Sequence, residues 1–211
     1  MGPIAKSTIK TSFVLGLRPV VQTATLLLVA RMLGPEQFGA FAGIAALAVL
    51  LGALASLGSN LVLLGAMSKA SALREQILSW AIPATLLAGA VLLAIFIAIN
   101  KTLLSAANVS LVALLAIGLT EFWLQPLLSL VAAEHHAQGR IAGSQFLYII
   151  PLTLRMLLAT SILFLSPERP LDVYATGYFL VSLFPLMILS VKLAWPGIKY
   201  WRLPSSNELK A

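Results

Sequence analysis

Three ionisable residues stand inside long apolar stretches of this 211-residue chain: Arg18, Glu121 and Arg155. A charge at the centre of a membrane-spanning helix costs about 2.5–3.5 kcal/mol on insertion scales, so each of the three needs a partner or a wet cavity. Each also has a proline close by, at Pro19, Pro126 and Pro151. A proline frees a backbone carbonyl and bends the helix, which is tolerated where protein or water bonds that carbonyl again. Gln22 lies one turn from Arg18, and Gln125 one turn from Glu121, so each helix carries a short polar stripe. The three charges fall at similar depth, with Arg18 slightly nearer one end. Two arginines against one carboxylate leave a net positive set. It suits an anionic cargo such as phosphate or pyrophosphate, which the planar guanidinium grips in a fork. A purely structural Arg–Glu pair and a proton-carrying Glu121 remain open beside that reading.

Other clusters offer less chemistry. The stretch "EHH" at 134–136 has two histidines and a carboxylate but no third histidine and no HExxH spacing, so a solvated loop is expected there rather than a metal site. "GAFAG" at 39–43 is a GxxxG pattern, expected to pack helices closely within the bundle. The chain has no cysteine, which excludes disulfides and thiol chemistry. No nucleophile–histidine–acid set, P-loop or dinucleotide fingerprint appears, so nothing points to an enzyme or to a cofactor.

The elements that position these residues follow from composition. The chain is 60% hydrophobic, with a mean hydropathy of +0.98 and 10% charged residues. A soluble domain carries about 25% charged residues. No charge occurs over Gln37–Ser68, Gln76–Asn100, Thr102–Thr120 or Val173–Val191. A helix of about 20 apolar residues crosses the hydrocarbon core of a bilayer, and only helices or closed barrels satisfy the backbone there. The dyad alternation of a barrel is absent. The fold class is therefore all-α, a polytopic membrane protein. Six spans are expected, at Ile9–Leu33, Phe38–Leu64, Ile77–Ile99, Leu104–Leu130, Ile141–Leu165 and Leu171–Ala194. The second uncharged block would run about 48 Å as one helix, so it must tilt, bend or emerge, and "SLGSN", 56–60, is the expected place.

The net charge of +7 concerns topology rather than nucleic acid. With the N-terminus inside, nine of the 14 cations fall on the cytoplasmic side: Lys6, Lys10, Lys69, Arg74, Arg140, Lys192, Lys199, Arg202 and Lys210. Arg31, Lys101 and Arg169 fall outside. The positive-inside rule then puts both termini in the cytoplasm. The first helix is expected to be retained, because Arg18, Pro19 and Gln22 interrupt any signal-peptide core. The segment "LAWPGIKYWR" mixes aromatic and basic residues and is expected to anchor at the inner interface. In "RMLGPEQFG", Gly34 is expected at positive φ ending the first helix, with Pro35 and Glu36 opening the second.

These motifs carry a family resemblance. "ARMLGPEQFGAFAG", followed by "LASLGSNLVLL", resembles the first hairpin of the polysaccharide-biosynthesis or O-antigen (Wzx-type) flippases, whose superfamily also holds multidrug and toxic-compound extruders. Arg31, Leu33, Gly34, Pro35, Glu36, Phe38 and Gly39 carry it. "AEHHAQGR" and "PLTLRMLLA" are similar to the family's fourth-to-fifth helix region. The resemblance implies export of an undecaprenyl-diphosphate-linked oligosaccharide across the bacterial inner membrane, by alternating access through a cationic cavity. It implies one six-helix lobe of a two-lobe transporter, so the chain reads as an N-terminal half, with 195–211 as the tail leading onward. Implied partners are the lipid bilayer, the lipid-linked glycan, a polysaccharide polymerase and chain-length regulators. Arg18 and Arg155 are then the candidate anion-binding residues, with Gln22, Glu121 and Gln125 as cavity or coupling groups. A cation-coupled antiporter of the same superfamily and a non-transporting membrane scaffold are the alternatives.

Overall fold

The computed structural model describes residues 3–103, 109–192 and 195–202. Every long element is a helix. The first helical run, Pro3–Ala55, is interrupted at Gly34, whose φ of 73° and ψ of 172° are not helical. We call its two parts α1 (3–33) and α2 (35–55). They are followed by α3 (Ser59–Lys69), α4 (Leu73–Leu103), α5 (Leu111–Ala137), α6 (Ile141–Leu165) and α7 (Pro170–Lys192). A short 3-10 turn, Ile198–Tyr200, lies beyond α7.

Among the described residues, five segments are long and apolar enough to cross a membrane. The first, Leu15–Ala55, has 41 residues, about twice the length of one crossing. It doubles back at Gly34. Phe41 on α2 packs edge-on against Tyr174 near the start of α7, whereas Gly52 lies against Glu121, deeper in the bundle. The protein is an all-α polytopic membrane protein. Its outer surface is the apolar one expected in lipid: Leu27, Leu50, Phe164 and Phe184 all point outward.

Several boundaries differ from the expected ones. The second uncharged block bends within "SLGSN", as expected, so the span is not one helix to Leu64. It breaks after Ala55, where Leu57 and Gly58 take positive φ, and α3 continues to Lys69. α4 starts earlier than Ile77 and ends later than Ile99, because Glu75 sits in its first turn and Lys101 in its last, where each suits the helix dipole. The expected start at Leu104 lies outside the described residues. α5 begins at Leu111, capped by the Ser110 hydroxyl, which accepts the Ala113 N–H at 3.1 Å. It runs on through "EHH". Those residues are not a solvated loop: Glu134 is buried and pairs with Arg74 at 2.8 Å, and His135 Nδ1 meets the Val131 carbonyl at 3.0 Å. Carrying Glu134 inward in the last turns of a helix lets it meet a cation from α4.

α5 is the centre of the bundle. In the most apolar stretch of its span 61% of the residues are buried, against 22–33% in the other four. Hydrophobic collapse does not drive helices together within lipid, so close approach of backbones matters. Gly118 on α5 lies against Leu93 and Phe96 of α4, and Gly177 on α7 against Leu158 of α6. The glycines of "GAFAG" do not serve this purpose. A Cβ at Gly39 or Gly43 would meet open space, so that face of α2 is turned away from the bundle.

Gly34 holds a backbone conformation essentially reserved for glycine. Gly34→Ala should destabilise the fold by about 1–3 kcal/mol, read as a lower unfolding midpoint in detergent. Gly43→Ala, in a helix and with open space around it, should not lower the midpoint and should raise it slightly, because a helical glycine costs about 0.5–1 kcal/mol relative to alanine.

Candidate functional site

The buried polar centre is built around an irregular turn of α5. Residues Thr120–Leu124 form a π-helical turn, in which the Gln125 N–H reaches the Thr120 carbonyl, five residues back. Pro126 accounts for it. Proline has no N–H and its ring crowds the carbonyl of the preceding turn, so the α pattern cannot continue through it. The Glu121 carbonyl consequently loses both helical donors: the Gln125 N–H is given to Thr120, and Pro126 has none. Two glycines clamp this turn from either side. A Cβ on Gly52 of α2 would lie 2.8 Å from the Glu121 carbonyl oxygen, and one on Gly89 of α4 would lie 2.7 Å from that of Phe122. The Trp123 indole then donates to the Leu86 carbonyl of α4 at 3.0 Å. Thus α2 and α4 together fix where Glu121 points.

It points toward α7. The Tyr178 hydroxyl donates to Glu121 Oε1. Arg155 of α6 lies over the other part of the same residue, its guanidinium carbon 3.7 Å from the Tyr178 ring centroid. Arg155 also donates from Nη2 to the Ser182 hydroxyl at 2.8 Å and from Nε at 3.3 Å. The Ser182 hydroxyl in turn donates to the Tyr178 carbonyl at 2.6 Å. Glu121 and Arg155 are buried at 7% and 8% exposure. They are joined through Tyr178 rather than by direct contact. A desolvated cation over an aromatic face gains about 2 kcal/mol or more. The centre thus holds one arginine and one carboxyl group, both buried.

Arg18 stands apart from this centre. It is exposed, as is Gln22 one turn on. Its guanidinium lies over the ring of Tyr148 on α6, 4.8 Å from the centroid. Tyr148 and Arg155 are two turns apart on one face of α6, so Arg18 sits about 10 Å from the level of the centre along that helix. Gln125 is half-buried just after the π-turn, and its carbonyl accepts the Ser129 hydroxyl at 2.9 Å. The structure therefore divides the sequence-derived set. Glu121 and Arg155 come together, Gln125 follows them on α5, and Arg18 with Gln22 lies on an outer face of α1.

Two members of the centre escape a reading based on charge: Tyr178 and Ser182. Their signal is spacing. Tyr174, Tyr178 and Ser182 recur every four residues on α7 and form one polar stripe in an apolar helix. Tyr174 continues the stripe upward, 6.2 Å from Tyr178 between ring centroids.

The model of the family described as "polysaccharide biosynthesis protein" matches residues 4–130, which is more than half of the chain. The chain belongs to the polysaccharide biosynthesis protein family. Neither the curated proteins nor the solved structures contain a match. The matched region of this polysaccharide biosynthesis protein holds Arg18, Gln22, Glu121 and Gln125, together with both glycines that clamp the π-turn. Arg155, Tyr178 and Ser182 lie beyond it.

Tyr178→Phe removes the donor and leaves the Glu121 carboxylate buried without it. An unpaired buried polar group costs about 1–3 kcal/mol, more when charged. The variant should lose at least that much stability in detergent. In Glu121→Leu the same tyrosine change should cost markedly less, so a double-mutant cycle should return a coupling of about 0.5–3 kcal/mol.

Proposed function

We propose that this polysaccharide biosynthesis protein acts in export, moving an undecaprenyl-diphosphate-linked oligosaccharide from the inner to the outer leaflet of a bacterial inner membrane. The observation that carries this reading is the exposed Arg18 on α1. A cation at that position cannot face hydrocarbon without cost, so its face of the bundle requires water, protein or an anion. A diphosphate is the anion a guanidinium fork suits. Arg155 is engaged internally by Tyr178 and Ser182, which leaves Arg18 as the exposed arginine of the sequence-derived pair.

The role of each residue follows. Arg18 meets the diphosphate as it enters, with Gln22 extending that polar face. Arg155, Glu121 and Tyr178 form the internal centre that sets how α5, α6 and α7 pack, and Glu121 is its coupling group. The lower end of the bundle, with the turns at 70–72 and 138–140, carries Lys69, Arg74, Arg140, Lys199 and Arg202. This supports a cytoplasmic lower end and cytoplasmic termini. A complete passage forms between this lobe and a second one, because such sites lie at repeat interfaces. The reaction is transport without bond chemistry.

The test is complementation of cells whose surface polysaccharide depends on this protein. Arg18→Ala should reduce surface glycan by at least about tenfold, a loss of roughly 1.4 kcal/mol in cargo binding, while membrane insertion stays normal. Arg18→Lys should retain part of the activity, since it keeps the charge and loses the fork. Wild-type glycan in Arg18→Ala cells would remove the cargo-binding role.

A further inference from the structure

Pro83 lies inside α4 and withholds an N–H from the carbonyl four residues before it, that of Ser79. That carbonyl has a donor from elsewhere in the chain. The backbone N–H of Arg202 reaches the Ser79 carbonyl at 3.1 Å. The Arg202 side chain also bonds there, from Nε to the Ser79 hydroxyl at 3.3 Å and from Nη2 to the Gln76 carbonyl at 3.4 Å. The segment that follows α7 thus crosses the lower end of the bundle and lands on the proline break of α4.

This segment has its own shape. The Tyr200 N–H bonds the Gly197 carbonyl, the Trp201 N–H bonds the Ile198 carbonyl, and the Trp201 indole closes the loop on the Pro196 carbonyl at 3.3 Å. Trp195 and Trp201 pack against the cluster of Leu63, Met67, Ile77, Trp80 and Leu130, which joins α3, α4 and α5. Ile198 and Tyr200 between them point outward. The two tryptophans seat the loop, and its backbone supplies the missing donor.

We propose that residues 195–202 form a strap that governs bending of α4 at Pro83. Docked, the strap replaces the hydrogen bond that proline removed, and α4 holds straight across its break. Undocked, the Ser79 carbonyl turns to water and α4 bends there as a hinge. The consequence reaches the buried centre. Leu86 and Gly89, the α4 residues that hold the π-turn, lie within two turns above Pro83. The strap also follows directly in sequence from α7, the helix carrying Tyr178 and Ser182. It therefore links the end of α7 to the helix that fixes Glu121. The expected interfacial anchor has this second role.

The proposal is independent of any cargo, and so is its test: hydrogen exchange of the full chain in lipid nanodiscs, read over 77–90. Arg202→Pro deletes the backbone donor. Trp201 has φ −68° and ψ 134°, an extended conformation that accepts a following proline. Exchange over this stretch should rise by at least about tenfold, as local opening becomes easier. Arg202→Ala keeps the N–H and should raise exchange less. Pro83→Ala restores the helix's own donor, so the double variant Pro83→Ala/Arg202→Pro should exchange as slowly as the unaltered protein. Unchanged exchange in Arg202→Pro would overturn the strap. Equal effects of Arg202→Pro with and without Pro83→Ala would overturn its action through the freed carbonyl.

Discussion

A backbone carbonyl in hydrocarbon needs a donor, and prolines within the helices of this protein take donors away. Pro19, Pro83, Pro126, Pro151 and Pro185 all lie inside membrane-spanning segments. Each breaks the hydrogen-bond ladder that lets a helix exist in lipid at all. Two of the breaks show how the fold answers. At Pro126 the helix re-registers into a π-turn, and the remaining carbonyl is sheltered against Gly52. At Pro83 a segment far along the chain supplies the donor. The tertiary arrangement of α2, α4, α5 and the post-α7 strap is organised around these two repairs.

Charge follows the same logic. Burying Arg155 or Glu121 alone would be strongly unfavourable. Tyr178 offers each what it needs: a π-face for the cation and a hydroxyl for the carboxylate. One side chain on α7 thereby ties α5 to α6 without a direct ion pair. The geometry depends on the π-turn, since an unbroken α-helix would rotate Glu121 to another direction. The proline near the charge is therefore the reason the charge can be accommodated.

At the lower end a third device appears. Arg74 and Glu134 join the start of α4 to the end of α5, and Trp195 packs beside them. Together with the strap they gather α3, α4 and α5 into one unit. At the upper end the Ser110 hydroxyl bonds Asp172, joining α5 to α7. The bundle is thus tied by polar contacts at its two ends and at its middle, while its sides stay apolar for lipid.

The all-α membrane class was legible in the sequence because a lipid solvent imposes it directly: apolar runs of about 20 residues have few other solutions. The turn at Gly34 was equally legible, since positive φ selects glycine locally. Arg18, Glu121 and Arg155 stand out as letters too, because charges are rare in apolar helices. What no local pattern carries is which of them meet. Glu121 reaches Tyr178 only because Pro126 re-registers α5 and Gly52 and Gly89 admit the neighbouring helices. The two arginines look equivalent as letters, yet one is buried against α7 and the other lies on the outside of α1. "EHH" reads as loop and proves helical, because its carboxylate has an arginine waiting across the bundle. The bond from Arg202 to Ser79 spans 123 positions of chain. Solvent and local backbone chemistry act along the chain and can be read there, whereas partnerships between helices depend on how they pack, and that was decided only in three dimensions.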